Sequence, residues 1–454
     1  VAVGGADLAL VGAATAGALV ATAVGVRGVL ARGEWRDGAT ESFLLALFTS
    51  SGMAMLVTLT DTWRPRTNAF GDTLIDWPGW AYRSQLGLYV LVLLGSCYLL
   101  LTRFPRRGAT VHVPALLVLL VALVSDGSAL LHGDSPFSPY YVVATGLLAA
   151  VTIAPRGLGV HVGLGTFGAI AGLVSGVAVL VNQEFATFAC GSGKCGLLGF
   201  NFRGFLTNEN AIGLYLALIM PFVFMAFGRW TGGVLSAYLV FLVLLSGSRT
   251  SAVGAVATFV VLVLVRPDPR RPDRGTGRAV LLGGVLGGGV LLGAALPFLP
   301  HDSTSFTGRA SLWQLAEAAL GQGGSLLLGR GALGWDDVRQ AGLIDQSAVY
   351  SVHNQYLQVL FVSGVLGAAL FVAALVVLLA QAGRAWFLVV GCAVLPVVVV
   401  GATESPWAID NVDWLSWALP GVLLSCPVAA RHHARHRRED AGAVPAARVA
   451  EPSP

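Results

Sequence analysis

Apolar stretches recur along this chain from near residue 8 to near residue 428, broken by short segments that hold most of its arginine and proline. A soluble domain covers its helices with polar surface and spends about a quarter of its residues on charge. Here 11% of 454 residues are charged, 55% are hydrophobic, and the mean hydropathy is +0.74. In lipid a backbone must satisfy its own N–H and C=O groups, which a helix does within one segment. The pattern therefore specifies an all-α polytopic membrane protein. Its 58 glycines suit helices that approach closely.

Runs bounded by charge, Pro and Gly give thirteen candidate spans, at 8–26, 39–59, 85–101, 111–125, 139–154, 160–181, 210–227, 234–247, 251–265, 279–299, 354–380, 386–401 and 413–428. About 12–13 transmembrane helices are expected. Several runs fall short of the ~20 residues a perpendicular helix needs. Only Ser246-Gly-Ser-Arg-Thr250 separates 234–247 from 251–265. That stretch reads as a tight hairpin with an arginine at its tip, against one long apolar region broken there.

Basic residues orient the chain. Placing 27–38, 102–110, 155–159, 228–233, 266–278, 381–385 and the tail from 429 on one side collects 19 Arg, leaving 9 Lys plus Arg opposite. The arginine-rich side is expected to be cytoplasmic, making this a multi-pass protein of the cytoplasmic membrane with its N-terminus outside. Arg266-Pro-Asp-Pro-Arg-Arg-Pro-Asp-Arg274 reads as a compact connector, and Arg431-His-His-Ala-Arg-His-Arg-Arg438 as a lipid-headgroup contact. The exterior pieces are 60–84, 126–138, 182–209 and, longest, 300–353. In the last, Leu312, Leu315, Ala316, Ala319 and Leu320 share a helical face, so 309–320 reads as a short amphipathic helix. Cys190 and Cys195 lie in an exterior loop where a disulfide can persist; the plainer reading is two free thiols. The net charge of +4 sits in short loops, which argues against nucleic acid as a partner.

A transporter keeps ionisable groups in mid-span for its substrate path. Here the mid-spans are nearly bare, and charge gathers toward the exterior ends, at Arg203, Glu209, Arg249, Arg309, Arg330, Arg339, His353, Glu404, Asp410 and Asp413. That favours an enzyme at the outer membrane surface over a conduit or flippase of lipid-linked glycans, which stays as the alternative. Arg249 stands at the hairpin tip, where a guanidinium must find an anion or carbonyl, or snorkel to the surface. Arg309 opens the 309–320 helix, where guanidinium and free N–H groups can face one phosphate; it is otherwise an exposed first-turn arginine. His353 lies where the exterior loop enters a membrane helix, as a base for a hydroxyl or as a boundary histidine bonded to backbone.

Together these three suit a glycosyl transfer. Two arginines can hold a polyprenyl pyrophosphate leaving group, while an imidazole assists the acceptor hydroxyl. No Asp-x-Asp or carboxylate cluster offers a divalent-ion site, so no metal and no cofactor are expected.

Four stretches then carry a resemblance: Gly204-Phe-Leu-Thr-Asn-Glu-Asn-Ala-Ile-Gly213, the Ser248-Arg-Thr250 turn, Gly308-Arg-Ala-Ser-Leu-Trp313 with Leu327-Leu-Gly-Arg-Gly331 behind it, and His353-Asn-Gln-Tyr-Leu-Gln358. In their order and spacing the chain resembles the O-antigen ligase and polysaccharide polymerase family of bacterial membrane glycosyltransferases. The resemblance covers about residues 200–410. It implies N-terminal membrane helices over 1–200, a ligase-like core over 201–429 containing the exterior loop 300–353, and a basic cytoplasmic tail over 430–454. It also implies an architecture similar to other polyprenyl-dependent (GT-C-like) transferases. The implied donor is an undecaprenyl-pyrophosphate-linked glycan, the acceptor a saccharide or glycolipid, and the surroundings membrane lipids, a flippase and a chain-length regulator. The family's motif arginines and histidine match Arg249, Arg309 and His353 as catalytic groups; Arg203, Arg330 and Asn354 are implied substrate contacts. The 300–353 loop is modest, which lowers the prospect of a protein acceptor.

Overall fold

A computed structural model of the chain describes residues 3–67, 73–104, 110–190, 194–273, 275–303, 305–306, 308–321, 325–340, 351–407, 409 and 411–427. The basic tail and Asp410 lie outside these residues. The helices follow in the order α1 (Gly5–Ala31), α2 (Ala39–Phe48), α3 (Ser50–Leu59), α4 (Gly79–Arg103), α5 (Val113–Leu131), α6 (Pro139–Val151), α7 (Leu158–Val181) and α8 (Gln183–Ala186). Next come α9 (Glu209–Phe227), α10 (Arg229–Ser246), α11 (Arg249–Val265), α12 (Thr276–Ala295), α13 (Arg309–Leu320), α14 (Ser325–Leu328), α15 (Gly334–Gln340), α16 (Gln355–Val400) and α17 (Ala418–Leu424). Two small antiparallel ribbons, β1 (Arg64–Thr67) with β2 (Thr73–Asp76) and β3 (Thr187–Phe188) with β4 (Asn201–Phe202), lie in the connecting loops.

Eight of the described helices are long and apolar enough to cross a membrane, or nine if α2 and α3, bent by 62°, form one span. This is a largely helical protein consistent with a polytopic membrane class. The count differs from the twelve to thirteen expected for identifiable reasons. The α6 and α11 helices are apolar but shorter than 18 residues, and of the 413–428 run only Ala418–Leu424 is helical. The runs at 354–380 and 386–401 are both present, as the two legs of α16 on either side of Gly383, and are counted once.

That helix is a hairpin. Forty-six straight residues would extend about 69 Å, yet Gln355 N–H at one end donates to the carbonyl of Gly401, just past the other, at 2.8 Å. The reversal sits at Gly383, whose backbone has φ +57° and ψ −176°, open to glycine and strained for other residues. A second break, at Gly364 (φ +64°), frees the carbonyls of Phe361 and Val362. They accept from the backbone N–H groups of Arg330 at 2.7 Å and Gly331 at 3.0 Å, so the loop between α12 and α16 is threaded into the kink.

Helix α9 is buried along almost all of its length and forms the axis of the bundle, with α7, α10 and α11 around it. Gly168, Gly172 and Gly176 put small residues on one face of α7, where a Cβ would collide with Ile219, Leu239 and Tyr238. Lipid gives little hydrophobic drive between helices, so such close backbone packing supplies the attraction.

Loop contacts divide the molecule into two ends. At one, Glu34 pairs with Arg270, Gly157 N–H donates to Leu424 O and His112 N–H to Thr152 O. At the other, Asn182 bonds Asp61, Leu197 N–H donates to Leu244 O, and Asn354 bonds Ala402 O. Of the loops in the arginine count, these contacts group 27–38, 155–159 and 266–278 at one end and 60–84 and 182–209 at the other.

Candidate active site

Three chain segments meet at the second end. Trp313 of α13 is fully buried and donates its indole N–H to Val352 O at 2.9 Å, tying that helix to the residue before His353. The buried face of α13 is Ala310, Trp313, Ala316 and Leu320. It packs with Trp335, Val352, Leu357 and Phe361 into a small core of its own. The expected amphipathic face, drawn through Leu312 and Leu315, is thus rotated toward Trp313, the largest apolar group available.

His353 occupies the left-handed backbone region at φ +51°. Histidine visits it more readily than most residues, but at a cost. Its surroundings hold it there: Val352 N–H donates to Gln358 Oε1 at 3.0 Å, His353 N–H donates to Ser351 Oγ at 3.3 Å, and Asn354 caps α16 through Leu357 N–H at 2.9 Å. The ring then lies 3.0 Å from Glu404 through Nδ1. The other Glu404 oxygen accepts from Arg309 Nη2. Arg309 Nη1 also donates to Thr403 O at 2.6 Å and Thr250 Oγ1 at 3.3 Å. Glu404 is only 3% exposed, so one buried carboxylate joins the guanidinium of α13 to the imidazole before α16. A carboxylate between two donors accepts from both, which assigns the ring proton to Nδ1. Nε2 has no hydrogen-bond partner among the described residues, and in the neutral ring it carries the lone pair.

Arg249 is the first residue of α11 and is exposed. Its neighbour Thr250 bonds both Arg309 and Thr403, so the hairpin tip adjoins the same assembly. The disulfide Cys190–Cys195 closes a loop that abuts this turn, where Leu197 N–H meets Leu244 O at 3.1 Å.

The other sequence-derived candidates are engaged by the protein's own groups. Arg203 is 7% exposed; it donates to the carbonyls of Phe185 and Glu184 and lies 5.4 and 5.3 Å from the ring centroids of Phe185 and Phe188. Asn354 is fully buried, and its amide donates at 2.8 Å to the carbonyls of both Gly293 and Ala402. Arg330 anchors the Gly364 kink through its backbone and reaches Ser325 Oγ at 3.4 Å.

His353 and Glu404 open onto a cleft of about 720 Å³. Trp335, Trp407, Trp414 and Tyr141 give it aromatic faces, and Asn208, Gln355, Gln358 and Asn411 give it amides. Asp413 also lines it, and loss of water raises its carboxyl to about 6 against the bonds from Leu415 N–H and Ser416. The indole nitrogens of Trp335 and Trp407, Ser405 Oγ and Asn411 Oδ1 are buried without partners among the described residues. Aromatic faces beside unspent donors and acceptors suit a hydroxylated ring.

Residues 234–372 match the O-antigen ligase family model (Wzy_C). With the apolar helices, the match supports a membrane protein of O-antigen ligase or polymerase type. It contains Arg249, Arg309, Arg330 and His353; Glu404 and most of the aromatic cleft lie outside it. No curated protein and no solved structure matches the chain. Sequence reading placed Glu404 among the exterior charges but gave it no role. The signal was there in its position, a lone carboxylate directly after the apolar run 386–401.

Proposed function

We propose that the protein transfers a glycan from a polyprenyl pyrophosphate carrier to a saccharide acceptor. The observation that carries this reading is the single carboxylate of Glu404 between Arg309 and His353, at the edge of a cleft able to hold a sugar. The acceptor hydroxyl attacks the anomeric carbon, forming the new C–O bond as the bond from that carbon to the phosphate oxygen breaks. Its proton passes to Nε2 of His353, and Glu404 stabilises the imidazolium through Nδ1. The pyrophosphate departs with its electron pair, and Arg249 and Arg309 compensate the growing charge. These side chains supply the acid–base and electrostatic parts of the step without calling on a metal.

In this reading the phosphates lie on the Arg249–Thr250–Arg309 side and the acceptor in the aromatic cleft, with His353 between them. The carrier is undecaprenyl pyrophosphate, the active end faces the exterior, and the acceptor is a glycan or glycolipid. An architecture shared with other polyprenyl-dependent transferases, a flippase that delivers the carrier and a regulator of chain length belong to the same proposal.

Deleting the gene in its native host and sizing the surface glycan tests the role. Loss of long chains with single repeat units still attached is the polymerase outcome. Full-length glycan retained on its lipid carrier is the ligase outcome. Unchanged surface glycan contradicts both.

A further inference from the structure

A second groove, of about 320 Å³, lies at the end of the molecule opposite the cleft. Val234 of α10 and Phe259 and Val263 of α11 line it, and Arg229, Trp230 and Arg266 stand at the terminus where α10 begins and α11 ends. Trp230 is 78% exposed, and Val234 and Val263 are also open to the surroundings. In a bilayer these groups face lipid. An exposed indole at a span terminus is at home at headgroup depth, and a valine–phenylalanine furrow suits an acyl chain.

The polar part of the groove has one sign. Arg229 and Arg266 both line it and no carboxylate does. Among the described residues, neither arginine takes part in a salt bridge. The Arg229 guanidinium lies 5.2 Å from the Trp230 ring centroid, a cation–π contact that keeps it at the groove. Arg266 caps α11 in the left-handed region at φ +54°, a conformation in which glycine would be cheaper. Its Nε donates to Val263 O at 3.2 Å, which draws the guanidinium back along the last turn toward the furrow. Its charge also suits the negative end of that helix.

We infer that this groove binds an anionic phospholipid, with the phosphodiester between Arg229 and Arg266, an acyl chain along Val234, Phe259 and Val263, and Trp230 at the level of the glycerol esters. Basic pockets between membrane helices recognise acidic headgroups in this manner. A zwitterionic lipid fills the furrow equally well but brings no net charge to the two arginines. The inference is independent of the glycosyl-transfer proposal, because it uses none of the residues at the cleft.

The test uses the full chain in phosphatidylcholine nanodiscs, with brominated phosphatidylglycerol or brominated phosphatidylcholine titrated in as a tryptophan quencher. The chain has 11 Trp, so the local signal is the difference between the native protein and Trp230→Phe. Phosphatidylglycerol is expected to quench Trp230 at a lower mole fraction than phosphatidylcholine. In the Arg229→Gln/Arg266→Gln variant, its apparent affinity falls roughly 10- to 30-fold to the phosphatidylcholine level. Both changes are on the surface, and an unchanged melting temperature in detergent verifies the fold. Added inorganic phosphate is expected to leave the quenching unchanged, separating a lipid site from a free-phosphate site. Equal quenching by both lipids, a preference that survives the double substitution, or displacement by inorganic phosphate overturns the inference.

Discussion

Glu404 has a chemical reason to sit where it does. A buried carboxylate without partners costs several kcal/mol, and pairing it with both a guanidinium and an imidazole removes that cost while fixing both partners. Under the proposed reaction, Glu404→Gln lowers kcat by about 10²-fold or more and leaves the acceptor KM nearly unchanged, because the amide cannot stabilise the imidazolium. Glu404→Asp should recover part of that loss, and a purified transfer assay reads both. His353→Asn substitutes a residue that tolerates left-handed backbone. It is expected to keep the native melting temperature and lose transfer, separating chemistry from strain. At this scale the sequence was legible in placement: Arg249 stands at the turn into α11, Arg309 opens α13 and His353 precedes α16, while their roles belong to the proposed reaction. It was not legible where the value comes from a partner far along the chain. Glu404 lies 95 residues from Arg309, and nothing in either local stretch names the other. Arg203 shows the converse: a lone exterior arginine reads as a phosphate contact until two carbonyls and two phenylalanine rings are found around it.

Among the elements, the α16 hairpin does most to position the site, since its ends bring Asn354 and Gln355 beside Gly401 and Ala402. Two of its glycines share a positive φ but differ in surroundings. A Cβ at Gly364 would meet Leu327 O and the backbone of Gly329, whereas nothing lies near one at Gly383. Gly364→Ala is therefore expected to lower thermal stability in detergent clearly more than Gly383→Ala, which carries only the backbone strain of about 1–3 kcal/mol. At the opposite end, Glu34 clamps the 266–278 connector. Burial works against its charge, but hydrogen bonds from Arg270 and Arg32 prevail and hold its carboxyl at about 2, below its ordinary 4.5. A depressed folded-state pKa contributes stability that is complete above about 4.5 and is lost as pH falls toward 2. Glu34→Gln should flatten the stability profile across that window while lowering stability at neutral pH, measured by thermal unfolding. The apolar runs located most of these helices directly, including the turn between Ser246 and Arg249. They overestimated the last one, because Trp414, Leu415 and Trp417 are apolar for the sake of a local non-helical fold, in which Ser416 and Leu415 bond Asp413.

For the whole molecule, scarcity of charge has a consistent meaning. The apolar helices leave few places for ionisable groups, and one of those places joins Arg309, His353 and Glu404 beside an aromatic cleft. For the loops that contacts place, the grouping at two ends agrees with the arginine count, as charge-dependent insertion would give. The cleft was not legible in the sequence, because its walls come from α6, α9, α15, α16 and the segment after it, and no run of residues contains it. Transfer and transport make opposite demands on such an assembly, since an enzyme must break the bond between sugar and phosphate and a flippase must preserve it. The most direct measurement places the purified protein in liposomes with a polyprenyl-pyrophosphate-linked saccharide and a saccharide acceptor, and follows that bond. The account predicts free polyprenyl pyrophosphate and a lengthened acceptor with the native chain, and neither with His353→Asn. Carrier that crosses the bilayer with its glycan still attached, and no acceptor product, would contradict it.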